Sequence, residues 1–261
     1  MKNSEKLVLK ATTALVLTAS LTHAAVVFDG SGGNSSASTT PLTWSHTVTA
    51  TTDSILLVSF SYEDASTNVG AVPSSITYGS QSLTPLLATT ASNPGGENTL
   101  GIWYLLNPTA GASTITFAGL TIDTAANLVR GSSVSFSGSS EVPTLFQTDA
   151  NTDSSAPTVS FTGILTDSAL YAIMAYSASG TAQGTTAPVL TFPTGGSFTG
   201  GQAAHHAGYN LNVSGDFTAG STSTSARSAM GAVILSTTVP EPSSVLLGAL
   251  GVLGLLRRRR A

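Results

Sequence analysis

Apolar side chains in this chain recur with a period of two. Trp44, His46 and Val48 share one side of such a run, while Ile55, Leu57, Ser59 and Ser61 oppose Leu56, Val58, Phe60 and Tyr62. Successive side chains of a pleated strand point to opposite faces, so this spacing demands strands and excludes the 3.6-residue period of a helix. Ile102–Leu106, Thr114–Phe117, Val134–Phe136, Leu170–Tyr176 and Ala229–Leu235 read as further strands, and Tyr78-Gly79-Ser80-Gln81 as a tight hairpin. Threonine, valine, isoleucine and the aromatics suit a pleated surface, while glycine, asparagine, serine and proline supply the turns. No stretch of ten or more residues between 25 and 236 carries a helical period. The expectation is an all-β fold, a single antiparallel β-sandwich of jelly-roll type with about ten to twelve strands.

Few stretches interrupt the strands. Gly30 to Thr40 reads as a linker or loop, as do Gly180 to Ala187, Gly195 to Gln202 and Gly215 to Ser225. None separates two segments each large enough to fold alone. Cysteine is absent, so no disulfide can staple the fold and a hydrophobic core must hold it, for which roughly 215 residues suffice. The same absence excludes thiol catalysis and thiolate metal sites within this chain.

The two ends have a different character. Met1 to Lys10 carries three lysines, Ala11 to Leu21 is apolar, and Thr22-His23-Ala24 puts small residues where a signal peptidase cuts. Residues 1–24 therefore read as a secretory signal, cleaved between Ala24 and Ala25. At the other end, Val239-Pro240-Glu241-Pro242 precedes an uncharged run from Ser243 to Leu256 and the cluster Arg257, Arg258, Arg259 and Arg260. As a helix the run spans roughly 20 Å, short of the ~30 Å hydrocarbon core, so it crosses only with local thinning and snorkelling flanks. The arginines stay on the cytoplasmic side and orient the preceding domain outward. Each proline fixes φ and biases its predecessor to an extended conformation, leaving Val239 to Pro242 open to a protease.

These three elements in this order resemble the PEP-CTERM sorting tail of Gram-negative bacteria, also called the ice-binding-protein C-terminal domain. The resemblance implies recognition by an exosortase, a membrane cysteine protease-transpeptidase, with transient membrane insertion of the tail. It further implies export across the inner membrane to the cell surface or extracellular matrix, in association with exopolysaccharide and biofilm. Val239, Pro240, Glu241 and Pro242 would be recognition residues of a substrate. The expected organisation is a signal peptide at 1–24, a β-sandwich domain at 25–236 and the sorting tail at 237–261.

Removal of both ends changes the charge. The whole chain carries −4. Between Ala25 and Val239 the only basic residues are Arg130 and Arg227, against eleven aspartates and glutamates, which leaves −9 and no lysine. Nucleic acid and anionic lipid demand a basic footprint and are excluded as main partners.

The stretch from Ser54 to Ser137 resembles a β-sandwich module of secreted bacterial proteins. The resemblance rests on Leu56-Leu57-Val58, Tyr62-Glu63-Asp64, the Ile76–Thr84 hairpin, Leu100–Pro108 and Val134–Ser137, with Ala229–Ile234 as the closing strand. It implies a fold and an extracellular setting and carries no catalytic residues.

Candidate sites are sparse. Glu63 and Asp64 are adjacent on a strand and so point to opposite faces, which reads as a solvated strand end and not as the facing carboxylate pair of a glycosidase. Asp149, Asn151 and Asp153 place oxygens at alternating positions as a calcium loop does, although Ser154 and Ser160 stand where its glycine and bidentate glutamate belong. Asp29 and the Asn/Gly-rich run after it offer a second cation candidate. His205 and His206 face opposite ways and cannot share one zinc ion. Trp44 and Tyr209 are expected to be partly exposed and are the sugar-stacking candidates, whereas Trp103 reads as core. No Gly-x-Ser-x-Gly elbow marks a serine nucleophile. The reading is an exported, non-catalytic surface or matrix protein with no cofactor beyond the calcium candidate. A carbohydrate-binding module is the alternative, and a glycan-active hydrolase a further one. The expected partners are signal peptidase, an exosortase and exopolysaccharide.

Overall fold

The alternating runs form strands throughout. The computed structural model of the protein describes residues 25–36, 41–50, 52–64, 72–93, 96–120, 128–139, 141–151, 156–177, 189–200, 203–220 and 227–237. In chain order these form β1 (Val27–Ser36), β2 (Thr43–Val48), β3 (Ser54–Asp64), β4 (Ser75–Tyr78), β5 (Gln81–Ser82), β6 (Thr84–Asn93) and β7 (Gly96–Leu106). There follow β8 (Gly111–Ala118), β9 (Leu128–Ser137), β10 (Leu145–Asn151), β11 (Thr158–Tyr176), β12 (Ser197–Gly200), β13 (Ala203–Gly220) and β14 (Ser228–Leu235). Every strand pairing is antiparallel. Among the described residues there is no helix, so none is long and apolar enough to cross a membrane. Residues Ala25–Thr238 form one compact unit.

Three sheets result. A central sheet runs β1-β9-β3-β7-β6, a long sheet β10-β14-β11-β13-β12, and a small sheet β2-β8-β4-β5. β3 explains the layering, because it is apolar on both faces. Ile55 and Leu57 join Leu100, Ile102, Val134, Tyr171, Ile173 and Val233 in the core between central and long sheets. Leu56, Val58, Phe60 and Tyr62 join Trp44, Ile76, Tyr78, Trp103, Ile115 and Phe117 in the core between central and small sheets. A strand with one wet face would alternate apolar and polar; one buried on both sides does not. Each fully buried Leu, Ile or Phe contributes roughly 1.5–3 kcal/mol, so β3 stabilises both interfaces, as β7 does through Ile102 and Trp103.

A third core lies on the outer side of the long sheet. The first part of β11 bends away at Gly163 and Asp167, both at positive φ, and its partner β13 bends at Asn212 and Gly215. The resulting arm carries Val159, Phe161 and Ala219 back over Leu170, Met174, Met230 and Ile234. Side chains of the edge strand β10 secure it: Gln147 accepts from the Ser160 amide at 2.9 Å and Asp149 from the Thr158 amide at 2.8 Å.

The fold is all-β and sandwich-like, with differences in detail. The sandwich has a third sheet and more strands than expected. Gly30 to Thr40 is not a linker as far as Ser36, because β1 runs through it to the edge of the central sheet. Its glycines permit close passage under β2, since a Cβ on Gly30 would lie 2.7 Å from the Thr47 carbonyl oxygen and one on Gly32 2.9 Å from that of Ser45. Gly195 to Gln202 contains the edge strand β12, and Gly215 to Gly220 belongs to β13. Gly180 to Ala187 and the signal segment at 1–24 lie outside the described residues, as does the Ser243–Leu256 run.

Candidate functional site

The polar side chains of the interior gather on β9. Its alternating residues send Ser132 to the long-sheet face and Ser133 and Ser135 to the small-sheet face. A histidine from each flanking sheet inserts between these hydroxyls.

On the small-sheet side, His46 of β2 lies with Nδ1 2.9 Å from Ser133 Oγ and Nε2 3.1 Å from Ser135 Oγ. The Trp44 indole N–H donates to Ser133 at 2.9 Å, and the Ser135 hydroxyl donates to Asp29 at 2.9 Å. The carboxylate end fixes half of the ladder, because Ser135 gives its one proton to Asp29 and so accepts from His46 Nε2–H; Ser133, which accepts from Trp44 and also lies 3.3 Å from the Gly32 carbonyl oxygen, donates to Nδ1 when the imidazole is neutral. Trp44 donates to Ser133, Ser133 donates to His46 Nδ1, and His46 Nε2–H donates to Ser135, which donates to Asp29. That order requires a neutral imidazole. Burial pushes His46 down to about 4, against the opposing charge of Asp29. Burial alone would raise Asp29, yet donation from the Thr49 hydroxyl and amide and from Ser135 holds it below the usual carboxylate value.

On the long-sheet side, His205 of β13 sits with Nδ1 2.9 Å from Ser61 Oγ and Nε2 3.0 Å from Ser132 Oγ. Ser132 continues to Ser59 at 2.7 Å, and Ser59 to the Tyr171 hydroxyl at 2.8 Å. Complete burial drives His205 well below its ordinary value, helped by His206 and Arg130, and pushes Tyr171 up to about 12 despite its serine partners. His206 faces the other way, stacked on Tyr176 at 5.5 Å with Phe192 edge-on at 5.8 Å. The two neighbours thus share no ligand position, as a strand requires.

The only arginines between Ala25 and Val239, a segment with no lysine, also lie in the interior. Arg130 and Arg227 are 4% and 7% exposed. Arg227 Nη2 lies 3.5 Å from Glu63 Oε1, and its carbonyl accepts from Asn98 at 3.1 Å. Burial raises Glu63, while Arg227 and Arg130 pull it back; burial lowers Arg130, while Glu63 opposes. Glu63 is therefore no solvated strand end but one half of a buried ion pair with a partner 164 residues away. With Glu97 also buried, the interior holds two glutamates and two arginines. The nine remaining acids of the 25–239 segment carry its whole net charge, and no basic side chain is left for its surface.

The sugar-stacking candidates fare differently. Trp44 is 8% exposed, contrary to its expected place at the surface. The physical reason is Gly131, which opens a slot in the central sheet: a Cβ there would lie 2.5 Å from Trp44 Cη2. Phe117 closes the slot edge-on at 5.2 Å. Tyr209 is half-buried, stacked on Phe28 at 4.7 Å with Phe136 edge-on at 5.7 Å. Trp103 belongs to the core, as its apolar run predicts. In the calcium candidate, Asp149 spends Oδ2 on the Thr158 amide and on Asn151 at 3.4 Å, and Asp153 lies outside the described residues. Among the described residues no three His, Cys, Asp or Glu are placed to hold a metal ion.

The β9 serines and the fastening roles of His46 and His205 escaped the sequence reading. The signal was present in the alternation of Ser133 and Ser135 and in a histidine between Trp44 and Val48 on an apolar strand face.

Beyond Thr237 the chain carries its address. Residues 238–260 match the PEP-CTERM protein-sorting motif. The PEP-CTERM motif marks the chain for export, for sorting to the cell surface as in Gram-negative bacteria, and for processing by an exosortase, a membrane protease. Val239, Pro240, Glu241, Pro242 and the four arginines fall within the match and outside the described residues. No curated protein matches the chain.

Proposed function

We propose that the PEP-CTERM motif delivers a non-catalytic surface or matrix protein whose β domain works within exopolysaccharide after tail removal. The observation that carries the reading is the match at 238–260, directly after a described β fold whose last residue is Thr237. Two features of the domain support it. The β9 serines with His46 and His205 are occupied in fastening one sheet to another, and the surface, with no basic side chain, stays soluble and repels anionic lipid and nucleic acid. The experiment is fractionation of cells with and without exosortase, followed by co-sedimentation with the cells' own exopolysaccharide. Co-sedimentation of the processed protein supports the matrix role. A processed protein that is wholly free of polymer, or one that hydrolyses it, refutes that role.

A further inference from the structure

A cavity of about 170 Å³ opens where the β4–β5 hairpin meets the turn from β7 into β8. The buried Tyr78 forms its floor, and Gly79 to Gln81 with Thr109 to Ser113 form its walls. Gly79 lies at positive φ, and a Cβ there would come 2.5 Å from Ser113 Oγ, so glycine lets the hairpin close on β8. The polar groups are fixed before any ligand arrives. The Tyr78 hydroxyl donates to the Gly111 carbonyl at 2.6 Å, and its ring stands edge-on to His46 at 6.3 Å. Gln81 Oε1 accepts from the Thr109 amide at 2.8 Å, which holds the side chain and leaves both Nε2 hydrogens to donate elsewhere.

What fits follows from the lining. No charged side chain borders the cavity, whereas the hydroxyls of Ser80, Thr109 and Ser113 each donate and accept. A carboxylate, phosphate or ammonium would leave water here with no opposite charge to meet. Sugar hydroxyls, which also both donate and accept, match the set. The volume lies below the roughly 300–1,000 Å³ that enclose a drug-sized ligand, so the cavity takes a single ring. Space for adjoining units continues from Ala112 along the outward face of the small sheet, where Thr114 and Thr116 pair with Ser45 and Thr43. Charge then selects the polymer. Arg130 and Arg227, the only basic residues between Ala25 and Val239, are buried, so the acidic surface repels a polysaccharide that carries carboxylates or sulfates. We infer that the cavity at Tyr78, Gln81 and Ser113 is a subsite for one unit of a neutral glycan, and that the polymer held by this domain is neutral. The inference rests on the matrix reading and narrows it.

The test uses the processed protein and the cells' own exopolysaccharide, separated by anion exchange into neutral and acidic fractions. The protein should co-sediment with the neutral fraction and not with the acidic one. A Ser80→Glu, Ala110→Glu double variant changes two exposed side chains at the cavity and should lose about tenfold or more in affinity for the neutral fraction. Leu165→Glu, on the bend of β11 in the long sheet, should bind as the wild type does. An unchanged urea midpoint shows that each variant is folded. In the wild type, oligosaccharides released from the neutral fraction should shift the amide NMR signals of Gly79, Gln81 and Gly111. Binding to the acidic fraction alone, full affinity in the folded double variant, or shifts confined to the other two sheets would overturn the subsite and leave the matrix role standing. Absence of binding to both fractions would overturn the matrix role itself, and the subsite with it.

Discussion

Acid should loosen this domain, and the ladder through His46 sets the amount. A histidine in an unfolded chain takes up a proton near pH 6.5, whereas His46 in the folded domain does so only at about 4. Between these values the unfolded chain binds more protons than the folded one, so stability is complete above about 6.5 and drains as the pH falls towards 4. At ~1.4 kcal/mol per unit, His46 alone accounts for about 3 kcal/mol, a large part of the 5–15 kcal/mol typical of a folded domain. His206, at about 4, and His205, held well below its ordinary value by burial, act in the same sense. Glu63 acts in the opposite sense, because its raised value favours the folded form as protons are added. Asp29 adds its loss only at still lower pH. Urea unfolding of the processed protein, followed by the fluorescence of buried Trp44 and Trp103, measures the sum. The unfolding free energy should fall by at least about 3 kcal/mol from neutral pH to about 4. His46→Gln keeps an amide between Ser133 and Ser135 and should remove about 3 kcal/mol of that pH dependence. A flat profile in the wild type, or an unaltered slope in the variant, would refute the neutral ladder.

Two further substitutions probe the interior. Gly131→Ala should push the Trp44 indole out of its slot, cost about 1–3 kcal/mol in unfolding free energy and shift Trp fluorescence to the red. Arg227→Met leaves Glu63 charged and buried, and should cost about 3–5 kcal/mol by the same assay, most of which a second change, Glu63→Leu, restores.

The strands were legible because period-two alternation is a local property, visible at Trp44-His46-Val48 and again along Ile55 to Tyr62. The third sheet was also written there, in the apolar residues on both sides of β3, but such a run does not say how many layers will cover it. β1 was obscured by glycine, which disfavours strands in general and is needed here only because β2 passes so close. Trp44 looked exposed because Thr43 and Ser45 flank it, yet on a strand those neighbours face the other way. Glu63 illustrates the remaining gap. Its partner Arg227 lies on the far side of the chain, and no local pattern announces a pairing at that separation. The sorting motif, by contrast, is read by a protease as a linear segment, so sequence alone was enough to find it.

The sorting motif at 238–260 implies that an exosortase processes this chain. Intact mass of the exported protein, from cells with and without the exosortase, tests it directly. With the enzyme present, the product should begin at Ala25 and lack Arg257 to Arg260 and the apolar run before them. A product that retains the arginines in both backgrounds, with unchanged location, would contradict it.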